Sequence, residues 1–193
     1  MEHTKIDELV AKIKALETEL ENELYEEYEH FACEIAKKRE EIRAAYRHDR
    51  ENLLHYLATA PLLNLLSAPV IWAVLFPALL LDLFVTVYQR VCFPIYRIEK
   101  VRRRDYIIID RHRLGYLNII EKINCLYCSY FNGLMGYITE VAARTEQYWC
   151  PIRHASRLKS IHSKYRNFVE YGDSHTYRED KERLRKELKE VKE

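Results

Sequence analysis

The sequence predicts an all-α protein with a membrane anchor. An uncharged run of 26 residues extends from Tyr56 to Leu81, and runs of this kind indicate membrane helices because lipid offers backbone groups no hydrogen-bond partners. Apolar residues before it recur at steps of three and four, as in an amphipathic helix. Only 4 Gly and 5 Pro occur in 193 residues, which favours long helices over a turn-rich β fold.

Residues 1–56 are predicted to form one long helix. Thr4 followed by Asp7 resembles a capping box at its start. One stripe then runs along the helix: Leu9, Ile13, Leu16, Leu20, Leu24, Tyr28, Phe31 and Ile35. Three successive steps of four between Leu16 and Tyr28 depart from a heptad repeat. A helix of roughly 80 Å is too long for a small core, so we expect it to pair between chains and form a homo-oligomer.

Residues 57–88 are the predicted membrane anchor, and their length is unusual. A straight helix of about 48 Å exceeds the roughly 30 Å hydrocarbon core, while two spans need about 40 residues. Pro61, Pro69 and Pro77 recur every eight residues, and proline kinks or breaks helices. Two arrangements fit: an interfacial helix over 57–67 with a span over 69–88, or a re-entrant hairpin bent near Ser67–Pro69.

The charges beside this anchor favour the hairpin. Six Lys or Arg residues precede Leu57 within 20 positions, and six follow Tyr88 within 20 positions. Positive charge concentrates on the cytoplasmic side of membranes, so equal flanks predict that both termini are cytoplasmic. Five Cys residues, unevenly spaced, do not form a secreted disulfide framework, which agrees with that location.

Residues 89–113 form a predicted basic juxtamembrane segment. It contains eight Lys or Arg residues and three acids. The densest part is Lys100, Arg102, Arg103 and Arg104, for which we predict contact with anionic lipid headgroups. Orientation bias alone is the competing explanation. Nucleic acid is not expected as a partner, because the membrane accounts for this cluster and the formal charge of the chain is only +1.

Residues 114–172 are predicted to form a Cys- and Tyr-rich helical hairpin followed by a polar loop. Asn132, Gly133 and Gly136 indicate the turn, and Pro151 ends the second helix. Residues 173–193 form a charged C-terminal helix with Leu184, Leu188 and Val191 on one face. That face either lies along the N-terminal helix or belongs to a frayed, solvated helix.

Three thiols and an imidazole are the candidate metal ligands: Cys125, Cys128, Cys150 and His154. A Cys₃His set binds zinc tetrahedrally, and thiolates also bind iron. One straight helix would hold Cys128 and Cys150 about 33 Å apart. A hairpin turning near residue 133 leaves Cys150 roughly 10 Å along the axis from Cys125. Packing of the Cys residues as small apolar side chains is the alternative.

Glu121 and Glu146 are a second choice of ligands. The predicted hairpin would place them opposite each other across two helices. Di-metal helical proteins also use Glu-x-x-His pairs, and the predicted hairpin (residues 114–172) has none.

The segments NCLYCSY (residues 124–130) and ARTEQYWCPIRHA (residues 143–155) resemble those of a group of small bacterial membrane proteins. The similarity extends over about residues 80–155. It implies a bacterial inner membrane location and carries no activity, cofactor or fold.

These features favour a membrane-anchored helical scaffold or interaction protein without an enzymatic activity. The alternative is a membrane-bound metal- or thiol-dependent oxidoreductase that uses the Cys₃His set. No phosphate-binding loop or nucleophile elbow is present.

Overall fold

A computed structural model describes residues 2–38, 41 and 61–190 of the chain. Helix accounts for 74% of the interpretable residues and no strand occurs among them, which confirms the all-α prediction. Two compact units are present, residues 1–51 and residues 52–193. The helices are α1 (Glu2–Lys37), α2 (Leu62–Ala73), α3 (Leu75–Tyr96), α4 (Arg103–Tyr106), α5 (Ile119–Trp149) and α6 (Tyr177–Glu190), with 3₁₀ turns at Arg111–Arg113 and Tyr165–Asn167.

Helix α1 makes up the described part of the first unit. It covers residues 2–37 of the helix predicted over 1–56, whereas residues 39, 40 and 42–56 of that prediction lie outside the described residues. All eight residues of its apolar stripe, from Leu9 to Ile35, are between 42% and 71% exposed. The unit therefore presents a long helix whose apolar face is open to solvent.

Helices α2 and α3 follow one another almost without interruption. The predicted bend near Ser67–Pro69 is wrong, because α2 runs helically through Pro69. The irregularity lies at Val74, which keeps right-handed helical angles of φ −65° and ψ −20°. Pro77 explains it: proline has no N–H with which to bond the carbonyl four residues earlier, that of Ala73. The chain does not turn back, so the basis for a re-entrant hairpin is removed.

Helix α3 packs side by side with α5 in a parallel direction. Just before α3 begins, the ring of Trp72 at the end of α2 lies 5.6 Å from that of Tyr127. Further along, the Tyr88 hydroxyl lies 3.1 Å from Oγ1 of Thr145, and near the end Tyr96 stacks on Tyr148. The buried residues of the inner face of α3 are Ala78, Asp82, Gln89 and Phe93. Residues 97–118, which we call the return segment, lead the chain back to the start of α5.

Helix α5 is continuous over 31 residues, so the predicted turn at 132–136 is wrong. Its glycines serve close packing instead. A Cβ at Gly133 would lie 2.5 Å from the Tyr106 carbonyl oxygen and 2.8 Å from Cα of Ile107. A Cβ at Gly136 would lie 3.3 Å from the Tyr106 ring. The absence of side chains lets the return segment approach the backbone of α5.

The C-terminal helix α6 packs against the end of α5, so it is not the frayed, solvated helix that was one alternative for it. Leu184 and Leu188 are buried there. The amide of Gln147 donates to the Leu184 carbonyl at 2.9 Å, and Nε of Arg185 donates to the Tyr148 carbonyl at 2.8 Å. Between the two helices, residues 150–176 are irregular apart from the 3₁₀ turn at Tyr165–Asn167, with one isolated bridge between Ile152 and Val169.

Candidate functional site

The four predicted metal ligands do not come together. Cys125 and Cys128 lie in the first half of α5, and Cys150 is the residue that ends it. Because the helix is continuous, Cys128 and Cys150 are about 33 Å apart along its axis. His154 lies in the following loop, where Nδ1 is 3.2 Å from the Tyr165 hydroxyl. A single chain therefore does not assemble a Cys₃His site.

Within the described ranges, no group of three or more His, Cys, Asp or Glu side chains is close enough to hold a metal ion. Cys128 and Cys150 are exposed and Cys125 is half-buried. The alternative reading of all three as buried core side chains is consequently wrong for the two exposed ones. Among the described residues of one copy, the oxidoreductase alternative has no assembled metal centre.

Glu121 and Glu146, the second choice, also fail to meet. They occupy one helix and are about 38 Å apart along it. Glu121 forms a capping box with Asn118: its carboxylate accepts from the Asn118 N–H at 2.8 Å and its own N–H donates to the Asn118 side chain at 3.0 Å. Glu146 lies 3.0 Å from Nε2 of His162. Both carboxylates hold structural elements in place.

A polar cluster surrounds Asp82 in the second unit. The Arg103 guanidinium donates to Oδ2 of Asp82 at 2.5 Å and to Oδ1 at 3.3 Å. Tyr130 donates its hydroxyl to Oδ2 at 2.8 Å, and Thr86 donates to Oδ1 at 3.3 Å. The cluster joins α3, α4 and α5 at one point. Its carboxylate side chain is only 12% exposed, whereas the Arg103 side chain is 47% exposed.

This environment perturbs the groups that face Asp82. The hydrogen bond from Arg103 to the carboxylate raises the pKa of Arg103 above its usual value. Burial, together with donation to the carboxylate, raises the pKa of Tyr130 above its usual value near 10. Arginine therefore stays charged and tyrosine stays protonated at neutral pH, which is the combination that a buried carboxylate requires.

A second polar contact lies two turns further along α3. The Gln89 side chain accepts from the Val101 N–H at 2.6 Å and donates to the Tyr137 hydroxyl at 3.0 Å. It also donates to the Val101 carbonyl at 3.3 Å. Gln89 thus forms hydrogen bonds with the backbone N–H and carbonyl of Val101, which lies outside any helix. The amide nitrogen and the amide oxygen of this buried side chain are both hydrogen-bonded.

The predicted headgroup residues divide into two groups. Arg103 points toward Asp82 and Tyr130, so its guanidinium is engaged within the protein. Lys100, Arg102 and Arg104 are exposed, and the Arg104 side chain reaches 82% exposure while lying 3.6 Å from Asp105. Three of the four cations are therefore at the surface of the return segment.

An apolar surface runs along α2 and α3 of this unit. We call it the outward face: Leu62, Leu66, Val70, Leu80, Phe84, Val87, Val91 and Ile95. These residues share the side of α2 and α3 opposite to the buried Asp82 and Gln89, and each is 42–70% exposed. Residues Leu62–Tyr96 form the one helix, within the described ranges, that is long and apolar enough to cross a membrane. Only 6% of its most apolar 18-residue stretch is buried, unlike the core helix of a soluble protein.

The Asp82 cluster was missed in the sequence, although a signal existed. Asp82 is the acid that interrupts the apolar run, and Arg103 lies in the basic segment that follows. An ionisable residue within an apolar helix usually has a partner. That reasoning would have directed attention to a cation of the return segment.

Comparison of the chain with protein-family models, curated proteins and solved structures returned no match.

Proposed function

We propose that this chain is a membrane-anchored interaction protein. The outward face carries the proposal, because apolar side chains are exposed continuously along a helix of 35 residues. Soluble proteins rarely expose a contiguous apolar patch of more than a few hundred Å². The bilayer supplies the apolar environment that such a face needs.

The distribution of polar groups supports lipid contact on the outward side. From Ala78 onward, the inner side of α3 is covered by α5 and its polar residues are satisfied there. The outward side has no such polar residue between Leu80 and Ile95 except Arg90 at its border. A lipid-facing helix has this division, with polar side chains directed toward protein and apolar ones toward acyl chains.

Basic side chains near this helix fit anionic headgroups. Lys100, Arg102 and Arg104 are exposed on the segment that follows α3. Each Lys or Arg held near an anionic surface contributes about 1 kcal/mol to binding. We therefore include an electrostatic contribution from these three residues and exclude Arg103.

A bacterial inner membrane stays a prediction of the sequence resemblance. Two cytoplasmic termini were expected because of the hairpin, and a helix that does not turn back removes that reason. We propose membrane attachment through the apolar surface of α2 and α3, and we assign no side of the membrane to the termini.

The interaction half of the proposal rests on α1. Its apolar stripe is exposed over the whole described length, and an isolated helix is marginally stable in water. Pairing with another helix would bury the stripe and stabilise α1. We propose no enzymatic step, and no zinc or iron site within one chain.

Flotation of the purified protein with vesicles tests the anchoring. The protein should float with phosphatidylcholine vesicles, and addition of phosphatidylglycerol should increase the bound fraction. Lys100→Ala/Arg104→Ala should reduce that increase and leave binding to phosphatidylcholine vesicles unchanged. Leu66→Asp/Phe84→Asp should abolish flotation altogether, because two charges would enter the lipid contact.

Ile161→Asp is the matched control, since Ile161 is an exposed apolar residue of the loop after α5. It should float like the unchanged protein. Loss of flotation in this control, or full flotation of Leu66→Asp/Phe84→Asp with retained helix content, would refute lipid contact by the outward face.

A further inference from the structure

From Leu16 to Ile35, the borders of the apolar stripe of α1 carry charge of one sign. Between Leu16 and Ile35 the sequence contains eight Glu and neither Lys nor Arg. On a helix, residues three or four positions apart are neighbours. Glu17 and Glu21 therefore border the stripe on one side, and Glu23 and Glu27 border it on the other.

These borders work against pairing between two copies of the chain. In a coiled coil, the residues beside the apolar seam face one another across the interface and determine partner choice. Any register that matches most of the stripe on two copies also places glutamates opposite glutamates. Like charges across such an interface oppose association, so the expected homo-oligomer is disfavoured.

The same borders work against a lipid surface as the occupant. Amphipathic helices that bind membranes carry Lys and Arg on their polar side, which attract anionic lipids. The glutamates of α1 would be repelled by that surface. The unit that holds α1 thus exposes an apolar stripe that neither a second copy nor an anionic membrane matches.

We propose that α1 binds a helix of another protein whose own apolar stripe is bordered by Lys and Arg. This inference rests on the proposed interaction function and names the partner chemistry of the same surface. Apolar side chains supply the buried area and opposite charges at both borders set the choice of partner. The interface extends from about Leu9 to Ile35, for roughly 39 Å of helix.

The spacing of the stripe specifies the geometry of the partner. Leu9, Leu20 and Phe31 are 11 residues apart, as are Ile13, Leu24 and Ile35. An 11-residue repeat corresponds to about 3.67 residues per turn and to a right-handed supercoil. The partner helix should therefore carry the same 11-residue repeat and not a heptad.

A charge-reversed copy of this chain serves as a probe with known chemistry. Glu23→Lys/Glu27→Lys in the full chain places cations on one border of an unchanged stripe. Equimolar mixtures of differently tagged chains in detergent, at neutral pH and low salt, are compared by affinity capture and by mass. We expect the probe to bind the unchanged chain at least about five-fold more tightly than that chain binds itself, and we expect added salt to remove the difference.

The matched control is Glu26→Lys/Glu29→Lys, which makes the same charge change on the side of α1 away from the stripe. It should bind no better than the unchanged chain. Leu20→Asp/Leu24→Asp in the unchanged chain should abolish capture by the probe. Helix content measured by circular dichroism identifies any variant in which α1 has unfolded, and a Leu20→Ala/Leu24→Ala variant then replaces it.

Three results would overturn the inference. The first is self-association of the unchanged chain as strong as its binding to the probe. The second is binding of the control as strong as that of the probe, and the third is retained binding by the stripe variants. Flotation with vesicles measures anchoring separately. Failure of the capture experiment therefore leaves membrane anchoring unaffected, and failure of flotation leaves the capture result unaffected.

Discussion

Nη2 of Arg103 lies 2.5 Å from Oδ2 of Asp82. This pair joins the return segment to the inner side of a helix that is otherwise apolar. The carboxylate also accepts from Tyr130 and Thr86, so it loses only part of its coordination when one donor is removed.

Arg103→Gln should destabilise the second unit by about 1–2 kcal/mol, below the usual cost of breaking a buried pair because Arg103 is half-exposed. The double variant Asp82→Asn/Arg103→Gln should lower the free energy of unfolding by less than the sum of the effects of Asp82→Asn and Arg103→Gln. Each single variant leaves one charge unpaired, whereas the double variant leaves none. Denaturant unfolding of the four proteins in detergent measures this coupling. Additive effects would mean that the pair contributes nothing.

Gly133→Ala should destabilise the fold by about 1–3 kcal/mol. A methyl group at this position would meet the backbone of Tyr106 and Ile107, which cannot rotate away. Gly136→Ala is the control, because its Cβ would meet only the edge of the Tyr106 ring. In an open helix, Gly→Ala stabilises by up to about 1 kcal/mol, so the two variants should differ in thermal unfolding midpoint. Equal midpoints would contradict the close approach of the return segment.

Cys128 and Cys150 should react with a maleimide at the rates of free exposed thiols, and a chelator should leave those rates unchanged. Both are exposed and are far apart on α5, whereas a thiolate bound to zinc would be protected. Mass spectrometry of digested protein gives the labelling of each residue. Protection that a chelator removes would show that several copies build a site that one copy lacks.

Tyr130 should titrate above the pKa of an ordinary tyrosine. Its folded pKa is raised by burial and by donation to Asp82, so its contribution to stability is complete below about pH 10 and is lost as the pH rises through the folded pKa. The difference in phenolate absorbance between the unchanged protein and Tyr130→Phe isolates this group. A difference curve centred at or below the ordinary value would exclude the contact with Asp82.

The helical class and the outer boundaries of several helices followed from periodicity. The end of α5 at Trp149, just before Pro151, agrees with the sequence pattern, whereas α1 already begins at Glu2, ahead of the expected cap at Thr4, and α6 begins at Tyr177, inside the predicted segment 173–193. Local signals determine such boundaries, because caps and prolines act on the backbone within one turn.

The sequence predictions were wrong where a residue type that usually marks a turn instead allows contact with a segment distant in sequence. Asn132 and Gly133 resemble a turn, but Gly133 is small because the backbone at Tyr106 lies against it. Only the tertiary structure distinguishes a glycine that bends the chain from one that admits a neighbour. The predicted metal ligands lie apart for the same reason, because without that turn Cys128 and Cys150 lie on one continuous helix.

The parallel packing of α3 and α5 has a consequence for synthesis of the protein. Tyr88 and Thr145 are in contact although 57 residues separate them along the chain. At about 5–20 residues per second, a ribosome needs about 3–11 s to make that interval. The apolar helix therefore emerges well before the one that covers its inner side, and Asp82 emerges before Arg103 or Tyr130. Early insertion of α2 and α3 into lipid would protect the outward face during this interval, with α5 docking afterwards onto an anchor already in place.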